Sequence, residues 1–98
     1  MLEFHWDDAN RNHLAHHGVT PEEAEFAFMA EPFEIDMEEH PDDGLRFRYV
    51  GETATGRILV LMMTWRGDSP RIITAWDAPK ATKIQYLIGK AASHGNKT

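Results

Sequence analysis

From Leu2 to Trp6, apolar Leu2, Phe4 and Trp6 alternate with polar Glu3 and His5, the period-two pattern of a short half-buried strand. A helix should follow, started by Asp7 or Asp8 accepting backbone N–H bonds and ended by Gly18, which reaches positive φ without a steric cost. His16 and His17 fall in its last turn, where partial protonation suits the negative end of the helix dipole. Thr20-Pro21-Glu22-Glu23 reads as a second start: Thr20 caps, proline suits the first turn, and Glu23 reaches back to complete a capping box. This helix should run to about Ala30 on Ala24, Phe26, Ala27 and Phe28, and Glu31-Pro32 ends it.

Alternation then returns. Phe33, Ile35 and Met37 against Glu34 and Asp36 predict an edge strand with an acidic outward side, followed by a polar loop from Glu38 to Gly44. Leu45 to Val50 sets Leu45, Phe47 and Tyr49 on one face and Arg46, Arg48 and Val50 on the other, so the two arginines point the same way before a turn from Gly51 to Gly56. Ile58 to Trp65 is apolar on both faces apart from Thr64, as for a central strand covered on both sides. Arg66-Gly67-Asp68-Ser69-Pro70 makes a turn, and Arg71 to Trp76 a further strand. A last helix spans about Pro79 to Ala92, weakened by Gly89. The order β-α-α-β-β-β-β-α predicts an α+β single domain with an antiparallel sheet of about four strands and helices at both ends of the chain, its ordered core covering about residues 2–90.

Charge adds a direction to this outline. Residues 1–43 carry thirteen acids against Arg11 alone, whereas residues 44–98 carry nine Lys and Arg against three acids, a split hidden within a net charge of −6. Arginines displayed on the later strands are suited to phosphates. The absence of cysteine removes disulfides and thiolate metal ligands and suits the cytoplasm. The first residues lack the basic start and apolar stretch of a secretion signal, and the longest apolar run, Ile58 to Met63, is too short to span a bilayer. Asn96-Lys97-Thr98 matches a glycosylation pattern that has no meaning without a secretory route, and Arg66-Gly67-Asp68 is read as a turn rather than an adhesion motif.

Phe4-His5-Trp6-Asp7, His17-Gly18-Val19-Thr20 and Glu22-Glu23-Ala24 are followed by Arg46-Phe47 before Gly51, then Gly56-Arg57, Thr64-Trp65-Arg66-Gly67 and Arg71-Ile72-Ile73-Thr74-Ala75. In this order and spacing the segments resemble the BrnT toxins of bacterial toxin–antitoxin pairs. The likeness covers residues 2–86 and implies a RelE-like fold, ribonuclease activity without a metal or other cofactor, an RNA substrate and a small antitoxin that blocks the toxin. The last motif departs from the family pattern: Trp76 stands at an arginine, Pro79 at a threonine, Thr82 at a glutamate and Lys83 at a second arginine, while Tyr86 is kept. The first helix is one residue shorter than the commonest form, with Asn10 near a position where many members have lysine.

Metal-free RNA cleavage needs a base for the 2′-hydroxyl, cations for the phosphorane charge and an acid for the leaving oxygen. Arg66 and Arg71, near the ends of one hairpin connection, are candidates for a guanidinium clamp, with Lys83, Tyr86 and His17 as further catalytic candidates. Arg46, Arg48 and Lys80 are candidates for phosphate contacts, and Trp76 for stacking on a base. His13 and His17 share a helix face, but the zinc pattern requires glutamate where Leu14 stands, so no metal site is expected. Trp76 and Thr82 motivate the alternative of an inactive relative that acts as a binding module, for instance in a complex repressing its own operon. Phe26, Phe28 and Met29 would suit homo-oligomer formation.

Overall fold

Two reciprocal caps organise the first half of the chain. In the structure, a computed structural model describing residues 2–95, α1 (Asp8–His16) begins with Asp7 Oδ1 accepting from the Asn10 backbone N–H at 3.1 Å while Asn10 Oδ1 accepts from the Asp7 N–H at 2.8 Å. Asn10 is buried, and its side-chain amide donates to the carbonyls of His5 at 2.9 Å and Ile72 at 3.0 Å, so the cap also fixes α1 against the sheet. Helix α2 (Pro21–Met29) starts on the expected Thr20–Glu23 box.

Four strands follow, β1 (Phe33–His40), β2 (Gly44–Glu52), β3 (Ile58–Arg66) and β4 (Ser69–Asp77), and then α3 (Lys80–Gly95). They form one antiparallel sheet in the order β1-β2-β3-β4. On one face, Leu59, Leu61, Met63, Ile72 and Ala75 pack against Leu14, Val19, Ala24 and Ala27 of the first two helices and their connection, with Phe4, Trp6, Phe28, Phe47 and Tyr49 closing the rim. On the other, Val50, Ile58, Val60, Trp76 and Ala78 pack around Tyr86 of α3. The α+β meander is therefore as the apolar pattern predicts.

Two glycines read from sequence as a turn and a helix weakness serve close packing instead. A Cβ on Gly51 would lie 2.4 Å from the Ala27 carbonyl oxygen, so glycine lets α2 approach β2. A Cβ on Gly89 would lie 3.0 Å from the Phe33 ring, which packs against α3 at that point.

The predicted strand over Leu2–Trp6 does not form. Phe4 and Trp6 are half-buried and His5 is exposed, as alternation requires, although Leu2 is exposed, and His5 N–H donates to the Pro70 carbonyl at 2.9 Å. Pro70 has no N–H to return a bond, so the segment runs beside β4 without a ladder. The predicted loop over Glu38–Gly44 is also shorter than expected, because β1 and β2 stay paired to His40 opposite Gly44. Both faces of β1 meet solvent there, so polar composition does not mark the end of the strand. Likewise Ser69 and Pro70 belong to β4 rather than the turn, and α3 runs beyond Ala92. Asn96-Lys97-Thr98 lies outside the described residues.

Candidate nucleic-acid interface

Helix α3 covers only part of its sheet face. Beyond Val50, Val60 and Trp76, the ladder brings Arg48 and Arg46 on β2, Met62 and Arg66 on β3, and Thr74 and Arg71 on β4 to the uncovered part. Arg48 pairs across the ladder with Met62, and Arg46 Nη1 lies 3.9 Å from the Met62 sulfur, so the two guanidinium stems flank one apolar side chain. The sequence-based expectation that Arg46 and Arg48 share a direction describes this face.

Each of these cations meets a carboxylate from the acidic half. Arg46 donates to Asp43 Oδ2 from Nε at 2.8 Å and from Nη2 at 2.5 Å, and Arg66 Nη2 donates to Asp43 Oδ1 at 3.3 Å. Arg48 holds Asp36 through Nε and Nη2. Hydrogen bonds from Arg46 hold the Asp43 carboxyl below its ordinary range, helped by the charges of Arg46, Arg66 and His40; Arg48 does the same to Asp36. Arg48 and Asp36 are both more than two-fifths exposed, so their pair is open to exchange with solvent ions.

Arg71, opposite Thr64 in the β3–β4 ladder, lies on the same face as Arg66 but holds a different carboxylate. It reaches Asp7, with Nη1–Oδ2 at 2.9 Å and Nη2–Oδ1 at 3.3 Å, and its Nη1 lies 2.9 Å from His5 Nδ1, tying β4 to the α1 cap. Lys80, Lys83 and Tyr86 do share α3, but with different surroundings: Lys80 is exposed, Lys83 half-buried and Tyr86 buried. Among the described residues, Lys80 and Lys83 have no salt bridge. The Tyr86 hydroxyl lies 3.5 Å from Glu52 Oε1, which also accepts from Lys90 Nζ at 2.6 Å. Burial and the Glu52 charge raise the tyrosine pKa, so this group keeps its proton and acts as a donor. The three polar groups line a cleft of about 210 Å³ together with Phe26 and Phe33.

His17 is the exposed C-cap of α1, with its ring 6.3 Å from that of Trp76; Trp76 itself is half-buried against the α3-side core. His13 and His17 gain no third ligand, since no group of three or more metal-ligating side chains occurs among the described residues. Sequence reasoning passed over Arg57, which gathers Asp77 at 2.7 Å, Glu23 at 3.3 Å and the carbonyls of Gly18 and His17, joining the β2–β3 connection to β4 and both early helices. It also passed over Asp36, Asp43, Glu52 and Lys90. Their partners are remote in sequence, or, for Asp43 beside Arg46, the carboxylate lies in what reads as a loop, and no local pattern exposes them.

Residues 6–82 match the model of a family described as ribonuclease toxin, BrnT, of type II toxin–antitoxin system. The chain belongs to the BrnT toxin family. No curated protein matches it. The matched segment contains Arg46, Arg48, Arg66, Arg71 and Trp76, whereas Lys83, Tyr86 and Lys90 lie beyond its end. Membership of a type II toxin family supplies the class of activity, ribonuclease, and the class of partner, an antitoxin. No helix among the described residues is long and apolar enough to cross a membrane.

Proposed function

We propose that this chain is the toxin of a type II pair, cutting RNA in the cytoplasm without a metal until a small antitoxin covers its arginine face. The observation that carries this reading is the grouping of Arg46, Arg48 and Arg66 on the part of the sheet that α3 leaves bare. Asp36 and Asp43 occupy these guanidinium groups much as a phosphate would, and the exposed Arg48–Asp36 pair is worth at most about 1 kcal/mol. RNA phosphates can therefore displace them, with Arg forks matching phosphate geometry. Lys80 and Lys83 add positive charge from α3, and Tyr86 offers a protonated hydroxyl beside Glu52. His17 stands apart from this face at the end of α1, so His17→Ala should weaken cleavage less than Arg48→Gln does.

Induction of the full chain should stop growth and degrade RNA, and the purified protein should cleave RNA in the presence of a strong chelator. Normal growth with intact transcripts at confirmed expression would overturn the reading. A second reading, the inactive binding module, is supported by Trp76, which packs against Val50 and Val60 where the family resemblance has an arginine. If that reading holds, Trp76→Arg with Thr82→Glu should create ribonuclease activity that the natural chain lacks.

A further inference from the structure

The two edges of the sheet are treated differently. Along β4, the Pro70 and Ile72 carbonyls accept from the His5 N–H and the Asn10 side chain, so the amino-terminal segment satisfies part of that edge. Along β1, the only strand partner is β2, and no other backbone hydrogen bond reaches Phe33–His40 among the described residues. The outward N–H and C=O groups of an eight-residue strand are thus available for pairing.

The side chains on β1 indicate what would pair there. Ile35 and Met37 are about half exposed, and the strand carries Glu34, Asp36, Glu38 and Glu39 with no lysine or arginine. A register irregularity between Glu34 and Asp36 leaves Asp36–His40 as the regular part of the edge. Self-pairing is disfavoured. An antiparallel pair of β1 strands centred on Asp36 would set that residue against its copy and Glu34 against Glu38, and one centred on Met37 would set Asp36 against Glu38.

We infer that the β1 edge docks an extended basic segment of a protein partner, which adds a fifth strand and sets Lys or Arg side chains beside Asp36, Glu38 and Glu39. The inference rests on the toxin–antitoxin reading for the identity of that partner, the antitoxin. An added strand lies two strand spacings, about 10 Å, from β2. Residues flanking it then reach Arg46 and Arg48, so edge docking places the inhibitor over the RNA-binding face.

The test uses the full chain and a nine-residue peptide of alternating lysine and valine, followed by amide NMR shifts and hydrogen exchange. Protection of alternate β1 amides is expected, weakening with salt, with no effect from a glutamate–valine peptide. Glu38→Lys with Glu39→Lys should weaken binding by about tenfold, since both acids are exposed and two cross-strand attractions become repulsions. Absence of binding at millimolar peptide, protection elsewhere, or equal binding by the charge-reversed chain would overturn the inference. RNA cleavage by the free chain is measured in parallel. Docking without cleavage refutes the ribonuclease reading and leaves the edge standing, whereas cleavage without docking does the reverse.

Discussion

Replacing Asp43 by asparagine removes the one carboxylate shared by Arg46 and Arg66, with His40 Nδ1 also 3.7 Å away. Asparagine retains the shape and one acceptor, so the hairpin should persist, at a cost of about 1–2 kcal/mol because the pairs are partly exposed. The larger effect falls on anion binding. In the natural chain a phosphate entering at either arginine must first displace a carboxylate, whereas in the variant it displaces only a neutral amide. Two additional phosphate contacts would steepen the dependence of log K on log salt for single-stranded RNA by about 1.4, which is roughly a 25-fold larger change in affinity per decade of salt. Fluorescence anisotropy of a labelled single-stranded RNA oligonucleotide across a salt series measures this slope directly. Parallel lines for the two proteins would show that Asp43 does not compete with phosphate, and the exchange argument would fail.

Arg57→Ala should destabilise the fold by about 2 kcal/mol, because the side chain donates to two carboxylates and two carbonyls that then lose a charged partner. That corresponds to a fall in Tm of roughly 8–16 °C in a chain of this size, readable by circular dichroism; a fall under about 3 °C would contradict it. Gly51→Ala forces a methyl group onto the Ala27 carbonyl and should cost about 1–3 kcal/mol in urea unfolding, with an unchanged midpoint refuting the close approach. Asp7, Asp36, Asp43, Asp77 and Glu23 all have depressed pKa values, owed chiefly to arginine hydrogen bonds for the four aspartates and to the Thr20 N–H for Glu23. Stability from these groups is present above their unfolded values, about 3.9 for Asp and 4.3 for Glu, and is lost as pH falls through the folded values. Urea unfolding at pH 7, 4 and 3 should show a progressive loss beginning below about pH 5, and equal midpoints at all three would contradict the assignment.

Periodicity was informative wherever a side chain alternates between core and solvent. Leu45 to Val50 revealed both its apolar face and its arginine face, and Thr20 to Glu23 carried a complete helix start. Its failures have a common cause. The Leu2–Trp6 segment half-buries Phe4 and Trp6 without making a ladder, because Pro70 opposite it offers no N–H, and Glu38–His40 pairs without burying either face. Pairing is a backbone property, and side-chain polarity reports it only where pairing and burial coincide. The weakness of Gly89 disappears for a similar reason, since the gap it leaves is filled by Phe33 from a different element.

The charge split has a consequence that linear sequence conceals. Acids of the first half and cations of the second can be read as separate surfaces for separate partners, yet Asp7, Glu23, Asp36 and Asp43 meet Arg71, Arg57, Arg48, Arg46 and Arg66 within the fold. Most of these pairs join residues between 12 and 64 positions apart, so only the meander brings them together. A sheet face neutralised in this way has little long-range attraction for RNA, which keeps nonspecific encounters slow in an acidic protein. Local contact is another matter. A phosphate already at the surface exchanges one oxygen anion for another at the same guanidinium group, and the price of that exchange is set by exposure, smaller at Arg48–Asp36 than at Arg46–Asp43. Binding should therefore begin at Arg48 and spread toward Arg46, so that Arg48→Gln slows association while Arg46→Gln chiefly speeds release, and stopped-flow mixing with labelled RNA would separate the two. Equal effects on both rates would remove the order of exchange.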